Sequence, residues 1–445
     1  MHSNILKKLS ESEKELAYLT LSLFVYEAFL KNGIYETHRN GGYQPIEIEL
    51  KGTEKIKLDL QTVNDNEAST VSHVLRLVLS FCLDVFPEIE LVSGSKIHLE
   101  NNKRPLKSNE SVALFSGGVD SFAGLSVLNE MFSIKGGIFV SHGSPALKHL
   151  LSKRLMPLFV NKDIELVEVD TSKGRSGGVQ QLRGLLYMIM GALYGRTRNS
   201  NRLVVSEIGP TMFQTPYDIL DEVTLTTHPF VIWAVKALYK SFFNDNLTIH
   251  LPFKDMTKAD ALSLIDKNNG YSVEIKKTNS CRNTSFANAQ RSHCGKCLGC
   301  IVRRISMILA GFESPEEDYY AWDVLVMNIN EAVIGRAPNA HIHFNNMSNI
   351  LMLVESARKI LLDEWNDISF LKVKDFGMKE LFRIFALDVF TTLYLLYDKS
   401  NIGRNEFLKQ FYVQCKKEGI INENIANKRL LELSGKASFS KINKG

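Results

Sequence analysis

The sequence predicts an α/β protein built on a doubly wound parallel sheet. Three observations carry that expectation. Between residues 111 and 268, short β-rich runs alternate with helix-length amphipathic runs. Such a rhythm means βαβ units and a parallel sheet covered on both faces. A Ser-Gly-Gly turn joins the first of these runs to a helix, and four cysteines (Cys281, Cys294, Cys297 and Cys300) cluster just after the alternating region.

The expected strands are 111–115, 137–141, 164–169, 202–206 and 247–251. The expected helices are 122–132, 145–160, 179–194, 229–243 and 258–267. Residues 1–108 have a different texture. A helix over 9–32 is followed by a turn at Gly41 and Gly42. Alternating strands at 45–50 and 55–60 flank Lys51, Gly52 and Thr53, and a second helix covers 70–86. This predicts an N-terminal α+β cap, with a polar linker around Pro105. Residues 313–445 carry apolar residues at helical spacing over 350–366, 378–396 and 404–418, predicting a C-terminal helical extension with a polar, basic tail at 435–445. The chain thus divides into 1–108, 109–312 and 313–445.

A chain of 445 residues suits one core domain with appended parts. Its net charge of +4 is small and the signs are interspersed, so nucleic acid is not a required partner. The apolar stretch 18–30 contains Glu27 and precedes no cleavage site, unlike a signal peptide. The stretches 182–194 and 381–397 are too short, or too interrupted by charge, to span a bilayer. A cytoplasmic protein with no membrane partner is expected. Clustered cysteines in a reducing compartment suggest metal ligation before disulfides, whereas Cys82 and Cys415 lie in apolar segments and read as core thiols.

The most informative stretch runs from Val112 through Phe115 into Ser116, Gly117, Gly118, Val119, Asp120 and Ser121. Glycines let the backbone approach a ligand closely, and the helix that follows points free N–H groups and a positive dipole end at the same spot. The Ser116 and Ser121 hydroxyls can add donors. Asp120 would repel phosphate, so its expected work is to accept loop N–H bonds or to help hold Mg²⁺. A bland alternative is a Gly-rich junction with Asp120 as helix cap. The loop lacks the Gly-Lys-Ser/Thr of a Walker A motif and the spaced glycines of a dinucleotide fingerprint.

Cys281, Cys294, Cys297 and Cys300 are spaced Cys-x12-Cys-x2-Cys-x2-Cys, with Gly295 and Gly299 at the tight turns. Four thiolates so spaced can close a tetrahedral Zn²⁺ site, and spacing alone also admits an iron–sulfur cluster. His293 could replace one ligand, though neighbouring residues rarely both reach one ion. A structural zinc held by all four cysteines is favoured.

The Ser116–Ser121 run resembles the PP-loop of ATP pyrophosphatases, an adenine nucleotide alpha hydrolase-like fold. Together with the cysteine motif it resembles the QueC (7-cyano-7-deazaguanine synthase) family over roughly residues 111–312. Gln181, Leu182, Arg183 and Gly184 resemble that family's helix start beside the nucleotide, and residues 251–260, from Leu251 to Asp260, resemble its Pro-Leu…Lys-Ala-Glu segment. The resemblance implies ATP, Mg²⁺ and Zn²⁺ as cofactors and 7-carboxy-7-deazaguanine as the carboxylate activated. Asp120, Ser121, Arg183 and Lys258 are the candidate catalytic residues, although Arg183 and Lys258 could each be solvated helix-end residues. The chain departs from the family where a Tyr-Pro-Asp-Cys-Arg signature contacts substrate. It carries instead a run with Glu207, Thr211 and Phe213, which are candidates for polar contacts to a purine-like edge and for ring stacking.

The added N- and C-terminal parts also depart from a compact nitrile synthase, and resemble the long QueC-like proteins of bacterial anti-phage systems, the QatC type. That resemblance implies a partner protein whose amine takes the activated carboxylate. Two other readings compete. A tRNA-thiolating enzyme would need an exposed catalytic Cys-x-x-Cys and a basic face. A non-catalytic ATP-binding scaffold would keep the loop without turnover.

Overall fold

The computed structural model describes residues 8–32, 46–49, 55–83, 85–91, 109–141, 149, 151–160, 163–170, 181–212, 226–267, 271–281, 293–314, 316, 320–328, 340–364 and 376–434. The anticipated turn at Gly41–Gly42, the loop at 51–53, the 101–108 stretch and the tail at 435–445 lie outside them, as does Phe213.

The N-terminal part comprises α1 (Glu11–Asn32), β1 (Ile46–Glu49), β2 (Lys55–Leu58), α2 (Asp65–Leu83) and β3 (Glu88–Leu91). β1 pairs antiparallel with β2, as the alternation suggested, and β2 also pairs in parallel with β3, a strand the sequence did not announce. α2 starts five residues earlier than expected. The Glu67 N–H donates to Asn64 Oδ1 (3.0 Å) and the Asn64 N–H to Glu67 Oε2 (3.1 Å), a polar capping box outside the apolar period.

The central part contains β4 (Ser111–Leu114), α3 (Val119–Leu128), β5 (Ile134–Ser141), α4 (Pro157–Val160), β6 (Glu165–Asp170), α5 (Arg183–Thr197) and β7 (Arg202–Val204). It continues through α6 (Gly209–Met212), α7 (Pro229–Phe243), β8 (Thr248–His250), α8 (Lys258–Ser263), α9 (Tyr271–Glu274) and α10 (Leu298–Leu309). Its five strands are all parallel, in the order β6-β5-β4-β7-β8. The winding therefore reverses at β4. Successive side chains alternate between two cores. Val112, Ile138 and Leu203 pack with Leu186 of α5 and Val231 of α7, whereas Ala113, Phe139 and Val204 pack with Phe122 of α3 and Phe159 of α4. Both faces are buried.

The helix expected over 145–160 is not continuous in its described part. A π-turn at Leu151–Leu155 gives way to α4 beginning at Pro157, whose missing N–H and fixed ring interrupt an α-helical ladder. The helix expected over 258–267 ends at Ser263.

The C-terminal part holds α11 (Ala340–Leu361), α12 (Phe376–Tyr394), α13 (Glu406–Lys417) and α14 (Glu423–Ser434). Their apolar faces share one core with α10, including Ile301, Ile305, Leu353, Phe382 and Val389. α14 was not anticipated. Its apolar content is low, and its start is marked by the Ile425 N–H donating to Asn422 Oδ1 (3.0 Å). At the other end of the chain, Glu13 of α1 accepts from Arg196 Nε of α5 at 2.7 Å, both side chains being buried. Among the described residues no helix is long and apolar enough to cross a membrane.

Candidate active site and metal centre

Ligands of open parallel sheets bind outside the C-terminal strand ends, where the strand order reverses. Here that point lies between β4 and β7. The chain leaves β4 through Phe115, whose N–H donates to Ile138 O at 2.9 Å, and enters the 116–121 loop. Gly117 has φ +75°, a left-handed conformation, and a Cβ there would lie 2.4 Å from Leu151 Cδ2. Glycine is thus required on two counts. Ser121 Oγ donates to Gly118 O (3.0 Å), accepts the Ser116 N–H (3.2 Å) and lies 3.1 Å from Ser116 Oγ. Ser121 therefore closes the turn. No side chain caps α3 at Gly118, which leaves that helix end suited to an anion.

Three charged residues from three other segments converge on Asp120 of this loop. Lys258, at the start of α8, donates from Nζ to Asp120 Oδ2 at 2.7 Å. Its side chain is only 8% exposed, so it is not a solvated helix-end lysine. Asp120 takes this ammonium rather than loop N–H groups, and its Oδ1 is buried without a hydrogen-bond partner among the described residues. Glu207 follows β7, and Thr211 Oγ1 donates to its Oε1 at 2.6 Å. Burial pushes the Glu207 carboxyl above its ordinary range and the Asp120 charge pushes it further, while Thr211, Lys258 and Arg183 pull it back. Arg183 opens α5 with a buried Nε that also has no partner among the described residues. A cation at the positive end of a helix is electrostatically misplaced unless an anion joins it.

The structure therefore gathers Asp120, Ser121, Arg183, Lys258, Glu207 and Thr211. An unpartnered carboxylate oxygen on Asp120 and an unpartnered guanidinium nitrogen on Arg183, both charges acting on Glu207, fit a metal-bearing polyphosphate.

The second centre is compact. The Sγ atoms of Cys281, Cys294, Cys297 and Cys300 all lie within 4.8 Å of one another. Thiolates about 2.3 Å from a tetrahedral zinc are about 3.8 Å apart; Cys294 Sγ and Cys300 Sγ are 3.8 Å apart. The irons and sulfides of a cubane cluster hold thiolates further apart, so the spacing suits a single ion. Gly295 serves a turn (φ +81°), where a Cβ would lie 2.0 Å from Trp322 O, whereas Gly299 lies not in a turn but at the start of α10, where a Cβ would lie 2.5 Å from Ser280 O. His293 is buried against Tyr320, with ring centroids 5.3 Å apart, and is not part of the ligand cluster.

Sequence reasoning missed Asn279, which joins the two centres. Its backbone N–H donates to Gly117 O (2.9 Å) and its Oδ1 accepts the Cys281 N–H (2.7 Å). Its position two residues before a ligand cysteine was the available signal. Arg303, on α10 after the last cysteine, donates to Thr278 Oγ1 (2.9 Å) and pairs with Glu313 (3.2 Å), holding the same segment from behind.

Fold and site together define a parallel α/β protein with a Gly-rich loop at the sheet's reversal point and a cluster of four cysteines that could hold a metal ion. Residues 226–311 match the family model of queuosine biosynthesis protein QueC. The matched segment carries Lys258 and all four cysteines, whereas the 116–121 loop lies outside it. The match supports a QueC-like ATP-using enzyme. No curated protein matches the chain.

Proposed function

We propose that the chain uses ATP to activate a carboxylate, 7-carboxy-7-deazaguanine, as an acyl-adenylate, and passes the acyl group to an amine. The observation that carries this reading is the ion pair between Asp120 in the loop and Lys258 in the QueC-like segment. Two independently read signals meet at one pair of atoms.

In this reading a carboxylate oxygen attacks the α-phosphorus. The bond to the α–β bridging oxygen breaks, and pyrophosphate leaves with the electron pair. The loop N–H groups and the α3 N-terminus hold the departing phosphates, and Arg183 and Lys258 meet the charge that develops on them. Magnesium, when bound with the nucleotide, neutralises further phosphate charge, and Asp120 Oδ1 is the atom free to hold it. An amine nitrogen then attacks the acyl carbon, AMP departs, and the amine's proton passes to a base. Glu207, whose carboxyl is pushed upward, suits either that proton or the N–H edge of a guanine-like ring. Cys281, Cys294, Cys297 and Cys300 hold a structural zinc that fixes the Asn279 segment under the loop.

The acceptor is an amine of a partner protein, in an anti-phage setting of the QatC type. That part rests on the resemblance of the long, extended layout. Pyrophosphate release from Mg·ATP, with and without 7-carboxy-7-deazaguanine, tests the activation step. Substrate-dependent release in the wild type that Asp120→Ala abolishes supports it. ATP binding without release would favour a scaffold. Intact-mass measurement of co-expressed partners tests the acceptor: an unmodified partner beside free nitrile would end the conjugation reading.

A further inference from the structure

The last described helix of the chain reaches back to the first residues of α8. Arg429 of α14 is buried, and its Nη2 donates to Asp260 Oδ1 (2.9 Å) and Thr257 Oγ1 (3.3 Å). Its Nε donates to Asp388 Oδ1 of α12 at 2.7 Å. Thr257 and Asp260 are the two halves of the capping box that starts α8, so the guanidinium grips that helix at its N-terminal turn. Lys258 lies between them, directly after Thr257. A helix of six residues has little rigidity of its own, and its direction depends on what holds its ends.

A second contact comes from the same face of α12. Leu381 lies seven residues, two turns, before Asp388. A Cβ on Gly209 would sit 2.2 Å from Leu381 Cδ2, so this helix presses directly on the start of α6, two residues beyond Glu207. The C-terminal helices thus bear on two of the three segments that bring charge to the loop, those of Lys258 and Glu207.

We propose that Arg429 is a positioning residue for Lys258, so that the C-terminal helices complete the nucleotide site rather than serving only as a docking surface. The proposal rests on the reading that Lys258 serves the nucleotide. Its physical core is that one planar guanidinium satisfies two carboxylates and a hydroxyl at fixed angles. A lysine supplies one point charge and cannot reproduce that fork.

The test compares wild type, Arg429→Lys and the milder Asp388→Asn. Acylation of Lys258 by an amine-reactive reagent is followed by peptide mass spectrometry, with Lys254 and Lys267 as internal references. In folded Arg429→Lys, Lys258 is expected to react several-fold faster while the references stay unchanged. Pyrophosphate release is expected to fall in kcat on the order of tenfold to a hundredfold, with little change in KM for ATP. In a Lys258→Met background, Arg429→Lys adds no further loss, because the lysine it positions is gone. Unchanged Lys258 acylation in the folded variants, or a loss of turnover that multiplies fully with Lys258→Met, would overturn the proposal. If Arg429→Lys does not fold, Asp388→Asn takes its place in both arms. A wild type that releases no pyrophosphate sinks the functional reading, and the acylation arm still decides what Arg429 does.

Discussion

Lys258 Nζ and Asp120 Oδ2 lie 2.7 Å apart although 138 residues separate them in the chain. The pair ties the loop after β4 to the start of α8, and both charges act on Glu207. Loss of either member leaves the other largely buried and unpaired. Asp120→Ala and Lys258→Met should each lower pyrophosphate release by at least about a hundredfold. Circular dichroism should show both variants folded, which separates loss of chemistry from loss of structure.

Glu207 supplies a pH signature. Its carboxyl is held above the ordinary range by burial and by Asp120, so the ionised form appears only at higher pH than for a solvated glutamate. If ionised Glu207 serves the acceptor step, turnover should rise through that shifted value, and Glu207→Gln should remove the acid limb of the pH–rate profile. A limb that survives in the variant would assign it to another group.

The loop glycine permits a controlled comparison. Gly117 and Gly419 have nearly the same left-handed φ, +75° and +73°. A Cβ at Gly419 meets nothing within 4 Å, whereas at Gly117 it meets Leu151 at 2.4 Å. Gly419→Ala should cost about 1–2 kcal/mol of backbone strain alone. Gly117→Ala should cost more in thermal denaturation and should also abolish ATP binding, measured by calorimetry.

Metal content is directly measurable. Atomic absorption should find one zinc per chain, and Cys297→Ser should lower both zinc content and thermal stability. Because Asn279 ties Cys281 to Gly117, zinc removal should also weaken ATP binding in protein that remains folded. Full ATP affinity without zinc would separate the two centres.

Asp388 and Asp260 share the single Arg429 guanidinium, so burial outweighs pairing and pushes the Asp388 carboxyl up to about 6. The folded state then holds this proton more tightly than the unfolded chain. The stability it contributes is fully present below the unfolded value of 3.8 and is lost as pH rises through about 6. The loss is on the order of 3 kcal/mol, at about 1.4 kcal/mol per unit. Thermal midpoints from pH 4 to 7 should fall less steeply in Asp388→Asn than in wild type.

Much of this was legible in one dimension. The strand–helix rhythm marked all five central strands, and the expected helix over 229–243 coincides with α7. The 116–121 loop and the four clustered cysteines could be read directly because each is local. A turn's φ requirement and a metal's ligand spacing are written in adjacent residues. Helix starts were less legible, as at Asn64 and Asn422, because polar caps fall outside the apolar period that reveals a helix. β3 and α14 are too short or too polar to announce themselves.

What only the tertiary structure decided is who faces whom. Nothing near Lys258 in the sequence marks it as the partner of Asp120, and nothing near Arg429 points to Asp260, 169 residues away. Asn279 reads as an ordinary loop asparagine until the sheet order brings Gly117 beneath it. Local periodicity records which side of an element is buried. The identity of the charge waiting on the other side depends on strand order and helix packing, and these are properties of the whole fold.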